Sequence, residues 1–354
     1  MPILWIKFYS WLKVRNAMKK DAVVKIMFYV VGVLMLGYIA ASSDWMEIWS
    51  HLKSAPFGAI MLLMFFQCIT TLLINIQWKS LADEVCNDIS FSDVVLMNCM
   101  GNIVDSLTPG VKMGGELGRI FALKNRAKTG FADAAMIVGL QKTFSLFSFL
   151  LLTLGSLIWF SLTLGGRYKY YLYLFTLAVI VFFVVFTALI LFSLKPNTII
   201  NILGKISKGS KIMSQIDETL KKYSHILARI FRNRRLFFSQ MLLGIFIWSF
   251  YAFKLQVLIN SFGIHADYIS VAAITFISYV MGMIPLLPGG IGSFESCMTL
   301  LLNMAGTSME MAAAIALVFR FVTFWFEVIL SGLIIIIANI PIISRGDRSA
   351  KIQV

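Results

Sequence analysis

Apolar residues run along this chain in long, nearly unbroken blocks. Ile26–Ala41, Gly58–Ile76, Phe144–Leu164, Tyr170–Leu194, Leu236–Phe262, Val271–Leu287 and Ala312–Ile343 approach or exceed the ~20 residues that span a hydrocarbon core. Two places break this pattern. Phe91–Leu107 is moderately apolar but carries Asn98, Asn102, Asp105 and Ser106, and it stops at Thr108-Pro109-Gly110 before Val111-Lys112-Met113-Gly114-Gly115-Glu116. Tyr268–Leu287 stops in the same way at Pro288-Gly289-Gly290-Ile291-Gly292, and Ser293–Asn303 returns. Proline and glycine together end a helix. Backbone freed at membrane depth must be buried in protein or line a wet cavity. The pattern predicts an all-α polytopic membrane protein with six full transmembrane helices and two re-entrant broken-helix hairpins.

Charge fixes the orientation of these elements. Of 31 basic residues, ten lie between Lys195 and Arg235, six precede Ile26 and three follow Ile343. Cations that flank spans mark the cytoplasmic face and are attracted to anionic lipid. The net charge of +14 is therefore a membrane signature, and a nucleic-acid partner is excluded on its distribution. If both breaks are hairpins, 24 of the 31 basic residues share one side. If the first were a single crossing, Lys195–Arg235 would lie outside. Both termini are thus expected in the cytoplasm, and no leader is expected to be removed.

Smaller patterns complete the layout. Residues 1–24 mix Trp5, Phe8, Tyr9, Trp11 and Leu12 with Lys7, Lys13 and Arg15, as an interfacial amphipathic segment does. Ser42–Pro56, with one lysine, reads as an outer loop. Ile212, Ile216, Leu220, Tyr223, Leu227 and Ile230 recur at helical spacing among basic residues, which predicts a cytoplasmic helix lying on anionic lipid or binding a partner. Residues 344–354 form a basic tail.

The two breaks are related by an offset of 179 residues. It superposes Pro109, Gly110 and Glu116 on Pro288, Gly289 and Glu295, and Ala134-Ala135 on Ala313-Ala314. A polar position follows on each long span: Gln141-Lys142 in the first, Arg320 in the second. Three full crossings lie between the hairpins, so the repeats, about 56–164 and 236–343 with the 195–235 linker between them, have opposite orientation. Inverted repeats with broken helices are a transporter architecture.

Charges inside a membrane are costly and need a reason. Glu116 and Glu295 follow the breaks, where a half-helix begins. They serve either as helix caps, as proton sites, or as contacts to a cationic head group. Gly110, Gly114, Gly115, Gly289, Gly290 and Gly292 permit tight turns and close backbone approach, and half-helix N-termini there could receive a phosphate. Lys112, Arg119, Lys142 and Arg320 are candidate anion contacts. Arg320 has two candidate partners, Glu327 and Glu295. Asp105 is placed to pair with Lys112, and Lys254, near the outer end of its span, is expected to snorkel. Lys112, Lys142 and Arg320 are expected to converge on one midplane cavity with Glu116 and Glu295. The four cysteines and three histidines show no metal spacing, and no nucleophile–base pair or nucleotide motif is present. No cofactor and no enzymatic activity are expected.

These motifs resemble the transmembrane, flippase-like domain of lysylphosphatidylglycerol synthases and their stand-alone relatives, over about Lys25–Ile343. The resemblance rests on Leu107-Thr108-Pro109-Gly110 leading to Gly115-Glu116-Leu117-Gly118-Arg119, on Leu287-Pro288-Gly289-Gly290-Ile291-Gly292 leading to Glu295, and on Arg320. The family has a Glu-Arg pair where Gln141-Lys142 stands here, so this chain keeps a cation and loses an acid. Full-length synthases add a soluble aminoacyl-transferase domain, whereas 11 residues follow Ile343 here. The resemblance implies movement or handling of an anionic or sugar-linked membrane lipid in a prokaryotic plasma (inner) membrane. The alternative is a non-transporting membrane subunit that supports a glycosyltransferase or lipid-modifying enzyme.

Overall fold

The computed structural model of the protein describes residues 45–86, 88–108, 113–127, 129–163, 169–195, 211–283 and 288–350. Among them the regular structure is entirely helical. The expected N-terminal segment and first span, Pro109, Gly110 and Lys112 lie outside the described residues.

Among the described residues five helices are long and apolar enough to cross a membrane. They are α2 (Phe57–Asp83), α5 (Phe131–Thr163), α6 (Lys169–Ser193), α8 (Arg234–Ser261) and a continuous rod made of α11 (Met309–Arg320), a π-turn (Phe321–Trp325) and α12 (Phe326–Ala350). The shorter helices include α3 (Phe91–Leu107), α4 (Met113–Arg126), α9 (Tyr268–Gly282) and α10 (Ser293–Met304). At 1.5 Å per residue these reach about 18–26 Å, less than the ~30 Å hydrocarbon core.

The short helices pack as two antiparallel pairs, α3 on α4 and α9 on α10. Each pair is closed by local chemistry. Ser90 and Asp267 cap the N-termini of α3 and α9 by accepting from the Asp93 and Ser270 amides. Glycine lets the arms approach. A Cβ on Gly115 would collide with the Asp105 carboxylate, and one on Gly101 would lie 2.6 Å from the Arg119 side chain.

The core is layered along the helices. A large apolar cluster joins Leu63 of α2, Phe149, Leu157 and Phe160 of α5, Leu255, Leu258 and Ile259 of α8, and the inner faces of α9, α10 and α11. Two smaller clusters gather around Trp78, Met97, Leu123 and Ile137, and around Leu81, Phe144 and Leu227. On α2 the buried polar residues Gln67, Thr70, Asn75 and Gln77 fall between the two apolar ends. On α5 the buried Gln141 and Ser148 and the half-buried Lys142 and Ser145 form a similar polar stretch.

Two expectations need correction. Much of Ser42–Pro56 is helix, α1 (Trp45–Ser54), because Ile48, Trp49 and Leu52 share one face; Ile48 is buried and the helix packs on α11. The amphipathic helix α7 (Lys211–Arg232) does not present its whole apolar face to lipid. Ile226, Leu227 and Ile230 are buried against α5, α6 and α8. Lys222 is tied to Asp133 at 2.5 Å, and Arg229 to Glu84 at 3.0 Å.

Candidate functional site

The polar layer holds two adjacent cavities. One, of about 150 Å³, is bounded by Asn98, Arg119, Lys142, Gly244 and Trp248, and the other, of about 100 Å³, by Tyr279, Gly289, Gly290, Arg320 and Phe324. Asn102, Asp105, Tyr251 and Glu327 line both.

Arg119 anchors the first cavity. It is only 7% exposed and is held from several directions, as a buried guanidinium must be. Its Nε donates to Asn98 Oδ1 at 3.2 Å and its Nη2 to Asn102 Oδ1 at 2.9 Å. Its Nη1 lies 3.3 Å from Asp105 and 3.2 Å from Glu116. Asp105 also accepts from the Gly115 amide at 2.9 Å, so one carboxylate caps α4 and neutralises Arg119. Glu116 reaches across to Lys142 Nζ at 2.5 Å. Lys142 keeps 35% of its side chain exposed and is an accessible cation on this side.

The second cavity repeats the device with other residues. Arg320, 6% exposed, lies with its Nε 3.2 Å from Glu295 and donates through Nη2 to the Gly289 carbonyl. Its guanidinium also lies over Phe294 and Phe324, at 4.8 and 4.2 Å. Glu295 accepts from the Gly292 amide at 2.6 Å, so it too both caps a helix and faces a cation. The turn that offers its carbonyl to Arg320 uses Gly289 and Gly290 at φ +66° and +70°. A side chain at Gly289 would also meet the Phe324 ring at 2.6 Å.

A hydrogen-bonded chain runs behind both cavities. Lys254, 0% exposed, donates to Gln67 Oε1 and to Thr70 Oγ1 and lies 3.9 Å from the Tyr251 ring centroid. Gln67 donates onward to Glu327 Oε2 at 2.8 Å, and Asn102 donates to Glu327 Oε1 at 3.1 Å.

The expected residues therefore distribute as follows. Arg119 and Lys142 line one cavity and Arg320 the other, while Glu116 and Glu295 stand behind these cations. The single shared cavity expected for them is a pair of cavities with a common wall. Arg320 pairs with Glu295, and Glu327 bonds to Gln67 and Asn102. Asp105 is committed to Arg119 and the Gly115 amide. Gly114 packs against Thr108 and Gly115 against Asp105, so both are spacing residues of the α3–α4 pair. Gly292 supplies the amide that Glu295 binds, and Pro288 opens the short turn Pro288–Gly290. Lys254 does not snorkel, because Gln67 and Thr70 of α2 supply partners inside the protein. Gln67, Asn102 and Lys254 were missed as site residues. For Gln67 the signal was the helical spacing of Gln67, Thr70, Thr71, Asn75 and Trp78 along one face of α2.

Residues 23–331 match the family described as the lysylphosphatidylglycerol synthase TM region. A UPF0104 membrane protein of Pyrococcus horikoshii is 23% identical over 78% of this chain and 86% of its own length. One of Methanothermobacter thermautotrophicus is 21% identical over 84% and 90%. One of Methanocaldococcus jannaschii is 24% identical over 78% and 84%.

Proposed function

The chain belongs to the family of the lysylphosphatidylglycerol synthase TM region, and we propose that it is a flippase-type transporter of an anionic phospholipid or lipid-linked sugar. The head group passes through the polar layer while the acyl tails stay in the bilayer. One observation carries this reading: Lys142 and Arg320, each on a long helix, border adjacent cavities and are each backed by the glutamate of a broken-helix pair, Glu116 and Glu295. A cation held in this way inside a membrane is positioned to exchange part of its carboxylate contact for a phosphate.

On this reading the chain crosses the membrane six times. The α3–α4 and α9–α10 pairs are re-entrant hairpins of an inverted repeat, 56–164 and 236–343, and the two repeats move against each other around the head group. Both termini and the 195–235 linker face the cytoplasm of a prokaryotic plasma membrane. The protein moves its lipid without chemically altering it. Lys112, Lys142, Arg119 and Arg320 attract the phosphate, and Glu116 and Glu295 hold the cations in place between passages.

The test uses the full chain in vesicles and measures movement of a labelled phosphatidylglycerol. Arg320→Lys should slow movement, because the bidentate fork is lost. Arg320→Gln should abolish it in protein that remains folded and monodisperse. If adding Glu295→Gln to Arg320→Gln restores movement, Arg320 is only the partner of Glu295 and the head-group reading fails.

A further inference from the structure

A third cavity lies away from the polar layer. It holds about 150 Å³ and, among the described residues, shares no lining residue with the other two. Phe144 of α5, Ile190 and Leu191 of α6, Phe231 of α7, and Phe237 and Met241 of α8 form most of its wall. The wall is almost wholly apolar. Thr143 also borders it, but its hydroxyl is engaged with the Gly139 carbonyl and the Tyr223 hydroxyl. The rings that frame it hold one another in place: the Phe237 centroid lies 6.0 Å from that of Phe144 and 5.1 Å from that of Phe231. Water gains little here, because a buried water needs several polar partners, and an apolar cavity of this size stays dry and takes up small hydrocarbons. Leaving it empty costs stability. Leu191 and Phe231 of its wall are exposed, so the cavity opens on the outer face of the bundle. A lipid chain can enter from the side.

The place of the cavity selects the kind of lipid. Ile190 and Leu191 lie just before the end of α6 at Ser193, and Phe237 and Met241 lie just after the start of α8 at Arg234. At 1.5 Å per residue, all four are within about 11 Å of those helix ends. That is the depth at which an acyl chain leaves its head group. Between Phe231 and Phe237 the chain turns from α7 into α8, and this turn carries Arg232, Arg234 and Arg235. All three arginines are exposed, and none has an ion pair among the described residues. Asn233 caps α8 by accepting from the Leu236 amide, which fixes the turn. A chain in the cavity therefore places its head group beside uncommitted guanidinium groups. These match phosphate in geometry and charge, and basic clusters at the ends of membrane helices select anionic head groups.

We infer that this crevice is a binding site for an anionic phospholipid, with one acyl chain in the apolar cavity and the phosphate on Arg232, Arg234 and Arg235. The lipid is held and not carried, because its site is separate from the polar layer. It completes the packing of α7 on α5, α6 and α8. The inference does not depend on the translocation reading.

The experiment uses full-length protein in phosphatidylcholine vesicles that contain a trace of photoreactive lipid. Two probes are compared, phosphatidylglycerol and phosphatidylcholine, each with a diazirine near the ester end of one acyl chain. After illumination, peptide mass spectrometry maps the labelled residues. The readout is labelling of Leu191, Phe231 and Phe237 relative to Phe238 and Leu242, which are exposed on α8 at a similar depth. This ratio should be about tenfold higher for the phosphatidylglycerol probe than for the phosphatidylcholine probe. Changing the three arginines together, Arg232→Gln, Arg234→Gln and Arg235→Gln, should remove the difference. Thr187→Phe, which fills the cavity from α6, should suppress labelling of the cavity residues by both probes. Equal ratios for the two probes in the wild type would overturn the anionic site. Ratios near unity for both would overturn the cavity as a lipid site altogether. A preference that survives loss of the arginines would overturn their role. The wild-type comparison needs no variant to fold, and it reads binding whether or not any lipid changes leaflet.

Discussion

Gly289 shows how one residue can serve turn, packing and charge at once. Its φ of +66° is reached at low cost only by glycine, the Phe324 ring closes the space where a side chain would go, and its carbonyl accepts from Arg320. Gly289→Ala should cost about 1–3 kcal/mol and loosen the Arg320 site. Gly155→Ala, on an open face of α5 with nothing within 4 Å, should be neutral or stabilising by up to about 1 kcal/mol. Thermal unfolding of the two variants in detergent checks this, and equal melting temperatures would contradict it. The glycines and Arg320 were legible in the sequence because Pro-Gly motifs and intramembrane charges are rare. Lys254 was misread for a physical reason. A lysine near the end of an apolar run normally reaches water with its long stem, and only the approach of Gln67 and Thr70 from another helix keeps it inside.

At the scale of elements, the helices were readable from hydropathy length, whereas their docking was not. Helix α7 illustrates the difference. Its heptad-like spacing promised an apolar face, but spacing alone does not say whether lipid or protein covers that face. The fold covers Ile226, Leu227 and Ile230 with α5, α6 and α8. Leu227→Ala should therefore destabilise by about 2–5 kcal/mol and expose α7 to added protease. Lys222→Ala removes an ion pair whose lysine is half exposed and should cost no more than about 1 kcal/mol. Denaturant titrations of the two variants compare the effects. A larger loss for Lys222→Ala would mean that charge, not burial, docks the helix. Helix α1 was missed because five apolar residues in a ten-residue stretch do not stand out beside spans of twenty or more. The two short antiparallel pairs were legible as breaks, since Pro109-Gly110 and Pro288-Gly289 interrupt apolar runs that would otherwise continue.

For the whole molecule, basic clusters and apolar blocks specify an integral membrane protein of the lysylphosphatidylglycerol synthase TM type. The proposed topology places residues near Lys195 and Lys221 in the cytoplasm. A cysteine placed at Lys221 in a cysteine-free background should resist an impermeant thiol reagent added outside intact cells and react once the cells are opened. Rapid labelling from outside would invert the topology. The interior arrangement was only partly legible. Sequence spacing pointed to Glu116, Lys142, Glu295 and Arg320, but the wall that joins their two cavities is built by Asn102, Asp105, Tyr251 and Glu327 from three separate helices. No local pattern brings those residues together. The claim that unites these parts is that an anionic head group crosses through this layer. Its most direct measurement is leaflet exchange of fluorescent phosphatidylglycerol, read by an impermeant quencher added outside vesicles that contain the full chain. The account predicts that wild-type protein brings the inner-leaflet label within reach of the quencher, and that Arg320→Gln leaves it protected as in protein-free vesicles. Equal protection in wild-type and protein-free vesicles, for labelled phosphatidylglycerol and for a labelled lipid-linked sugar alike, would contradict it.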